Sequence, residues 1–231
     1  MANDFFPHDA ASGDDFLEMS FQNIQIGAAE GNYLPVSLET SRGTVRARHY
    51  PAPRSPWGVV FVGGAGGGWD TPGQGQLYPQ LRTGLPAQGI TALWVRYRKP
   101  AHLEESVLDV LAGVYYLGTT GVSSVALVGH SFGGAVVIQA AATAPDVRSV
   151  VALSTQTLGA EPAAELGPRC SLLLIHGTAD EILPPRCSET VYGVAQEPKR
   201  LELLPGVRHG LGEAAAQVHD LVKDWLLEEL T

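Results

Sequence analysis

Short apolar runs alternate with longer amphipathic stretches along this chain from Trp57 onward. A continuous apolar run between turn residues is typical of a strand buried on both faces, whereas apolar positions three or four apart are typical of a helix packed on a sheet. The pattern predicts strands at residues 58–62, 91–97, 124–128, 149–153, 172–175 and 200–204. It predicts helices at residues 74–88, 103–117, 132–144, 185–195 and 213–230.

The chain before Trp57 has a different pattern. Residues 34–40 and 45–50 flank the turn Ser41-Arg42-Gly43, which predicts two further strands joined as a hairpin. Strands alternating with helices indicate an α/β fold with a mostly parallel central sheet of about eight strands and helices on both faces. A length of 231 residues suits one such domain. We assign it to residues 21–231 and interpret residues 1–20 as a mobile N-terminal tail.

The segment Gly129-His130-Ser131-Phe132-Gly133 lies between a predicted strand and a predicted helix. A serine on a sharp strand-to-helix turn is held exposed above the edge of the sheet, in the arrangement called a nucleophile elbow. Glycines beside such a serine allow the backbone segments to approach one another closely. The pattern therefore predicts Ser131 as a nucleophile, with His130 as a packing residue of the elbow.

Two further reactive groups follow apolar runs later in the chain: Asp180 after residues 172–175 and His209 after residues 200–204. Chemistry in open parallel sheets collects at the carboxyl ends of the strands. An imidazole can remove the proton of a serine hydroxyl, and a carboxylate fixes the tautomer of that imidazole. We expect His209 as the base and Asp180 as the acid, with Glu181 as the competing acid. We interpret His176 as a structural residue or one that supports the site indirectly.

In their order, the elbow, the segment His176-Gly177-Thr178-Ala179-Asp180 and the loop Gly206-Val207-Arg208-His209-Gly210 resemble the α/β-hydrolase superfamily. The likeness runs from about residue 34 to residue 230. Among its members the chain is similar to small lidless serine esterases and dienelactone hydrolase-like proteins. The resemblance implies hydrolysis of a small ester or lactone through an acyl-enzyme intermediate. Thioesterase, peptidase and acyltransferase activities use the same triad and remain open, as does a non-catalytic receptor or scaffold on this fold.

The resemblance also implies an oxyanion hole made of two backbone N–H groups. One is that of Phe132, directly after the serine. The other comes from the glycine-rich loop that starts at Gly63, where many members of the superfamily have a histidine. Ala65 is the first candidate in this loop and Gly64 the second.

The substrate pocket is expected to be shallow, because only residues 154–169 are available for a lid between two predicted strands. Sixteen residues are too few for a cap domain. The side chains that we expect at its walls follow the predicted strands: Trp69, Phe132, Leu158, Ile182 and Leu183.

The glycine-rich loop has a rival interpretation as a phosphate cradle. It lacks the Gly-Lys-Ser/Thr ending of a P-loop, and Trp69 replaces the last glycine of a dinucleotide fingerprint. Arg96, Arg98 and Lys99 after the next predicted strand could suit a 2′-phosphate or a substrate carboxylate. An NADP-dependent reductase is therefore the alternative from a different class.

Composition limits the partners and the cellular compartment that we expect for the protein. A net charge of −9 argues against nucleic acid as a partner, because the one basic group, Arg96, Arg98 and Lys99, is too small to follow a phosphate backbone. No apolar stretch is long enough for a membrane span. The acidic N-terminus lacks the apolar core of a secretory signal, so we expect a cytoplasmic protein with Cys170 and Cys187 as free thiols. We predict a small-molecule substrate, no cofactor and no metal, and leave the oligomeric state open.

Overall fold

The computed structural model describes residues 18–231, which form a nine-stranded mixed sheet with helices on both faces. The strands are β1 Phe21–Ile26, β2 Leu34–Thr40, β3 Gly43–Tyr50, β4 Trp57–Val62, β5 Ile90–Arg96, β6 Ser124–His130, β7 Val147–Leu153, β8 Ser171–Gly177 and β9 Lys199–Leu204. The α-helices are α1 Leu77–Gly84, α2 Leu103–Thr119, α3 Phe132–Thr143, α4 Arg186–Val194 and α5 Ala215–Leu230. Short 3-10 helices lie at Leu85–Gln88, Glu161–Glu165 and Gly212–Ala214.

The strand order is β1-β2-β3-β5-β4-β6-β7-β8-β9. The first three strands and the β3–β5 pair are antiparallel, and all pairs from β5 to β9 are parallel. The predicted fold class is thus confirmed, with one strand more than expected. The additional strand is β1, an edge strand in which only Phe21 and Ile24 are half-buried. Most of the predicted tail, residues 1–17, lies outside the described residues.

Two apolar layers enclose the sheet. Alternate side chains of β4 point to opposite faces, with Val60 and Val62 in one layer and Val59 and Phe61 in the other. Buried residues of α2, α3 and α4 cover the first layer, and those of α1 and α5 cover the second. This burial on both faces explains why the central strands are continuous apolar runs.

An ion-pair cluster around the buried carboxylates of Glu105 and Asp109 joins α2 to the turn between β2 and β3. Glu105 accepts from Arg42 Nη2 at 2.6 Å, from Arg98 Nη2 at 3.0 Å and from Lys99 Nζ at 2.5 Å. The Arg98 Nε–H donates to Asp109 Oδ1, and the Arg98 backbone N–H donates to Asp109 Oδ2 at 2.7 Å. Arg98 and Lys99 therefore bind carboxylates of the fold itself.

The segment between β7 and β8 is short. Within residues 154–170 the structure has one 3-10 helix, Glu161–Glu165, and no cap domain. The expectation of a lidless fold is therefore confirmed, and the carboxyl end of the sheet is left open. Across residues 18–231, none of the helices has the length and apolar character needed to cross a membrane.

Candidate active site

Ser131 occupies a strained turn between β6 and α3. Its φ of 58° and ψ of −121° lie in a region that residues with a side chain rarely adopt. A Cβ on Gly129 would overlap the carbonyl oxygen of Gly133, and a Cβ on Gly133 would overlap that of Gly63. The two glycines thus leave no room for side chains, which is the close approach that the sequence predicted for a nucleophile elbow.

Asp180 and His209 meet at the carboxyl edge of the sheet, with His209 Nδ1 2.7 Å from Asp180 Oδ2. The Asp180 side chain is fully buried, and that of His209 is 15% exposed. The His209 ring lies beside the elbow, because its centroid is 4.9 Å from that of His130. Among the hydrogen bonds of residues 18–231, none joins Ser131 to His209; in enzymes without substrate such catalytic contacts are often long.

Four N–H groups surround the Asp180 carboxylate. The backbone N–H groups of Ile182 and Leu183 donate to Oδ1, each at 2.8 Å, and His176 Nε2 lies 3.1 Å from Oδ2 beside the His209 bond. Burial raises the pKa of Asp180. The hydrogen bonds from Leu183, His209 and Ile182 together lower it by more, so the pKa is below its ordinary value. Asp180 is therefore ionised at neutral pH and can stabilise an imidazolium at His209.

The buried His176 ring connects Asp180 to α4. Its Nδ1 is 2.7 Å from Ser188 Oγ, and its Nε2 is also 3.0 Å from the Leu183 carbonyl oxygen. Burial lowers the pKa of His176, which leaves the ring neutral at neutral pH. In the tautomer that satisfies the two hydrogen bonds, Nε2–H donates to the Leu183 carbonyl oxygen while Nδ1 accepts from the Ser188 hydroxyl. His176 thus lies against the Asp180 carboxylate, and its supporting role stays a prediction.

Glu181, the competing acid, contacts the main chain of His209. Its Oε2 accepts the His209 backbone N–H at 3.4 Å, whereas the imidazole binds Asp180. Of the two acids, Asp180 is therefore the partner of the His209 ring.

The glycine-rich loop starts beside the elbow and is held by two tyrosines. Tyr78 Oη donates to the Val62 carbonyl oxygen at 2.9 Å, and Tyr97 Oη donates to that of Gly63 at 3.2 Å. A Cβ on Gly63 would lie 2.9 Å from the Asp70 carbonyl oxygen. This crowding gives a physical reason for glycine where a histidine is common.

The two oxyanion candidates in this loop differ in their surroundings. A Cβ on Gly64 would lie 3.6 Å from the Ser131 Cβ, so Gly64 is next to Ser131. Ala65 is exposed. Phe132 follows Ser131 as the first residue of α3, where the backbone N–H has no partner within the helix. All three remain predicted donors.

The predicted wall residues fall into two groups. Trp69 packs on Trp94 with ring centroids 5.5 Å apart, and Phe132 packs on Tyr97 at 5.9 Å, so both rings contact neighbours inside the fold. Leu158 is 76% exposed and Ile182 is 64% exposed. Leu183 is half-buried. The two exposed residues follow β7 and β8, at the same end of the sheet as Ser131.

Two side chains bind the main chain of His209, and the sequence did not indicate these contacts. His130 Nε2 and Ser154 Oγ both contact the His209 carbonyl oxygen. The only available signal was the position of each residue at the carboxyl end of a strand. Residues 18–231 contain no cluster of three or more His, Cys, Asp or Glu side chains that could hold a metal ion.

Comparison with known proteins gives a match to a protein family and short matches to two curated proteins, YfhR of two Escherichia coli strains. A family model described as alpha/beta hydrolase fold matches residues 100–172. A 38-residue segment is 55% identical to the uncharacterized protein YfhR of Escherichia coli (strain K12). That segment spans 16% of this chain and 13% of YfhR.

Solved structures match over nearly the whole chain. The dienelactone hydrolase from Anabaena variabilis has a TM-score of 0.73 at 19% identity, over 91% of this chain and all of that one. Est1E from Butyrivibrio proteoclasticus has a TM-score of 0.69 at 17% identity, over 90% and 99% of the two chains. The esterase domain of a Rhodothermus marinus protein has a TM-score of 0.69 at 20% identity, over 90% and 100%. The chain thus has the α/β-hydrolase fold, and it resembles small esterases.

Proposed function

We propose that this protein is a serine hydrolase that cleaves a small ester or lactone through an acyl-enzyme intermediate. The single observation that supports this most is the bond between His209 Nδ1 and the buried, ionised Asp180, next to a serine on a strained elbow. With its Nδ1–H bound to a carboxylate, an imidazole has its Nε2 lone pair available to accept a proton.

In the first half-reaction, Ser131 Oγ bonds to the substrate carbonyl carbon while its proton passes to His209 Nε2. The carbonyl oxygen becomes an oxyanion, which the N–H of Phe132 and a donor at Gly64 or Ala65 would stabilise. The intermediate then collapses, the bond from carbon to the leaving oxygen breaks, and His209 gives its proton to that oxygen. An alcohol leaves, or the opened end of a lactone remains attached.

In the second half-reaction, water attacks the acyl group on Ser131. His209 takes a proton from the water as the new carbon–oxygen bond forms, and it returns this proton to Ser131 Oγ when the acyl bond breaks. Asp180 stays ionised throughout and stabilises the imidazolium in both steps. A small acyl group suits a site with no cap domain, and the likeness to a dienelactone hydrolase and to esterases supports the choice of ester or lactone.

The test is hydrolysis of p-nitrophenyl acetate and butyrate and of a small lactone by the wild-type protein and by Ser131→Ala. We expect the substitution to lower kcat by about 10⁶-fold, as for loss of a nucleophile that acts as a unit with its base. The matched control is Ser123→Ala, an exposed serine before β6, which should keep the wild-type rate. Ester hydrolysis that persists in Ser131→Ala would contradict the proposal.

A further inference from the structure

Loops that follow three different strands meet on the main chain of His209. His130, the last residue of β6, and Ser154, directly after β7, each contact the His209 carbonyl oxygen at 3.0 Å, through Nε2 and Oγ. Glu181, in the loop after β8, accepts the His209 N–H at 3.4 Å. Both polar groups of the residue are therefore bound by side chains that come from elsewhere in the sequence.

The two donors to the carbonyl are buried. Ser154 has no exposed surface, and His130 is 7% exposed. Burial lowers the pKa of the His130 ring, which is therefore neutral with its proton on Nε2, toward the His209 carbonyl. Within the described residues, His130 Nδ1 has no hydrogen-bond partner. The bond to His209 is thus the hydrogen bond that orients this ring.

Ser154 holds an unfavourable backbone conformation to make its contact. Its φ of 45° lies in the left-handed region, which serine seldom adopts. Such conformations persist only where the surroundings hold them in place, and the Ser154 N–H donates to the Ile175 carbonyl oxygen of β8 at 2.8 Å. The Ser154 residue is therefore fixed on one side by β8 and on the other by His209.

We propose that His130 and Ser154 are positioning residues for the catalytic imidazole, an inference that rests on the proposed function. Two hydrogen bonds on one carbonyl oxygen fix the main chain from which the imidazole extends. The ring can then keep its distance from Ser131 while it accepts and returns a proton. Neither residue contacts the substrate in this role, so their loss should affect kcat rather than KM.

The experiment compares Ser154→Ala, His130→Leu and His130→Gln in p-nitrophenyl acetate hydrolysis. A single lost hydrogen bond corresponds to about a three- to tenfold decrease in kcat, which we expect for Ser154→Ala and for His130→Leu, with KM within about twofold of wild type. If the two losses add, the double variant Ser154→Ala/His130→Leu should lose about 10- to 100-fold in kcat. Glutamine retains an N–H donor on a side chain of similar reach, so His130→Gln should recover most of the rate.

Two buried residues far from the site serve as matched controls. Ser171, at the start of β8, bonds to Ser149 Oγ, and His49, in β3, lies between Thr91 and Tyr116. Ser171→Ala and His49→Leu should lower the thermal midpoint without lowering kcat. An unchanged kcat in Ser154→Ala and His130→Leu would overturn the proposal. So would a His130→Gln variant as slow as His130→Leu, or an equal loss of kcat in the controls.

A measurement that does not depend on catalytic activity can test the positioning role independently of the proposed function. Proton NMR can follow the His209 Nδ1–H, which is bound to Asp180 and should resonate far downfield. We expect this signal to broaden or shift in Ser154→Ala and to stay unchanged in Ser171→Ala. A wild-type protein without esterase activity would contradict the proposed function alone, whereas an identical signal in Ser154→Ala would contradict the positioning role.

Discussion

Two buried carboxylates in this molecule, Asp109 in α2 and Asp180 after β8, are both fully shielded from solvent yet are held in different ways. Asp109 receives its N–H donors from one residue, Arg98. Asp180 receives two backbone N–H groups and lies within hydrogen-bond distance of two imidazoles. The two carboxyls therefore show how burial and hydrogen bonding compete to set a pKa.

The pKa values of the two carboxyls shift in opposite directions. Burial raises the pKa of Asp109 to about 6 against the lowering by Arg98, whereas the donors around Asp180 outweigh burial and lower its pKa. The partners differ as well, because a guanidinium never releases its proton near neutral pH but an imidazole does so readily. Arg98 therefore serves Asp109 as a fixed cation, whereas His209 beside Asp180 can accept and release a proton.

The largest effect is expected from Asp180→Asn. An amide at this position cannot stabilise the imidazolium and favours the wrong tautomer of His209, so kcat should fall by about 10⁴-fold. Steady-state kinetics on p-nitrophenyl acetate measures this, with circular dichroism as the check that the variant is folded. Glu181→Gln is the control, because glutamine keeps a side-chain oxygen that can accept the His209 backbone N–H, and its kcat should stay within about threefold of wild type.

Arg98→Leu should affect stability instead of chemistry. It leaves Asp109 buried without its cation, which typically costs about 3 to 5 kcal/mol of unfolding free energy. Urea denaturation measures this cost, and kcat below the unfolding transition should equal that of wild type. A folded Arg98→Leu protein with wild-type stability but reduced kcat would reverse the roles that we assign to the two carboxylates.

Glu105 offers a third buried carboxylate, whose effect on stability should depend on pH. Hydrogen bonding from Arg42, together with Lys99 and Arg98, lowers the pKa of Glu105 to about 2 from an ordinary 4.5. A folded pKa below the unfolded one adds stability that is present above pH 4.5 and is lost as the pH falls toward 2. Glu105→Gln should cost about 1 to 3 kcal/mol at pH 7 and should remove this part of the acid sensitivity. Denaturation curves between pH 7 and 2.5 that lose stability in parallel for both proteins would contradict this assignment.

The smallest effect on kcat is expected at Ser188, which hydrogen-bonds to His176, the ring that lies against Asp180. Ser188→Ala removes the hydroxyl that donates to His176 Nδ1. We expect kcat to fall by about two- to threefold, because one neutral hydrogen bond is lost and His176 and Asp180 lie between Ser188 and the His209 ring. Thr190→Ala, on the exposed side of α4, is the control and should leave kcat unchanged. Equal rates for Ser188→Ala and Thr190→Ala would show that His176 does not need this bond.

The sequence predicted Ser131, Asp180 and His209 as site residues because each follows an apolar run at the same edge of a parallel sheet. The sheet topology brings all three to the same end of the sheet, and the alternation of strands and helices in the sequence predicts that topology. The glycines of the elbow were readable for a similar reason, since a close backbone approach at Ser131 excludes side chains at Gly129 and Gly133.

Other features depend on geometry that residue patterns do not encode. Glu105 and Asp109 would be exposed on an isolated amphipathic helix, and they are buried because Arg98 and Arg42 reach them from other elements. His130 and Ser154 bind a carbonyl 79 and 55 residues further along the chain, a contact set by three loops at once. Strand β1 has too few buried side chains to give a clear apolar pattern.

The most direct test of the central claim is to trap the nucleophile. Wild-type protein, Ser131→Ala and Asp180→Asn are treated with a fluorophosphonate, and the modified residue is located by peptide mass spectrometry. We expect a stoichiometric adduct on Ser131 in the wild type, a much slower reaction in Asp180→Asn and none in Ser131→Ala. An adduct on another residue, or an unlabelled Ser131 in a protein that still hydrolyses esters, would contradict the account.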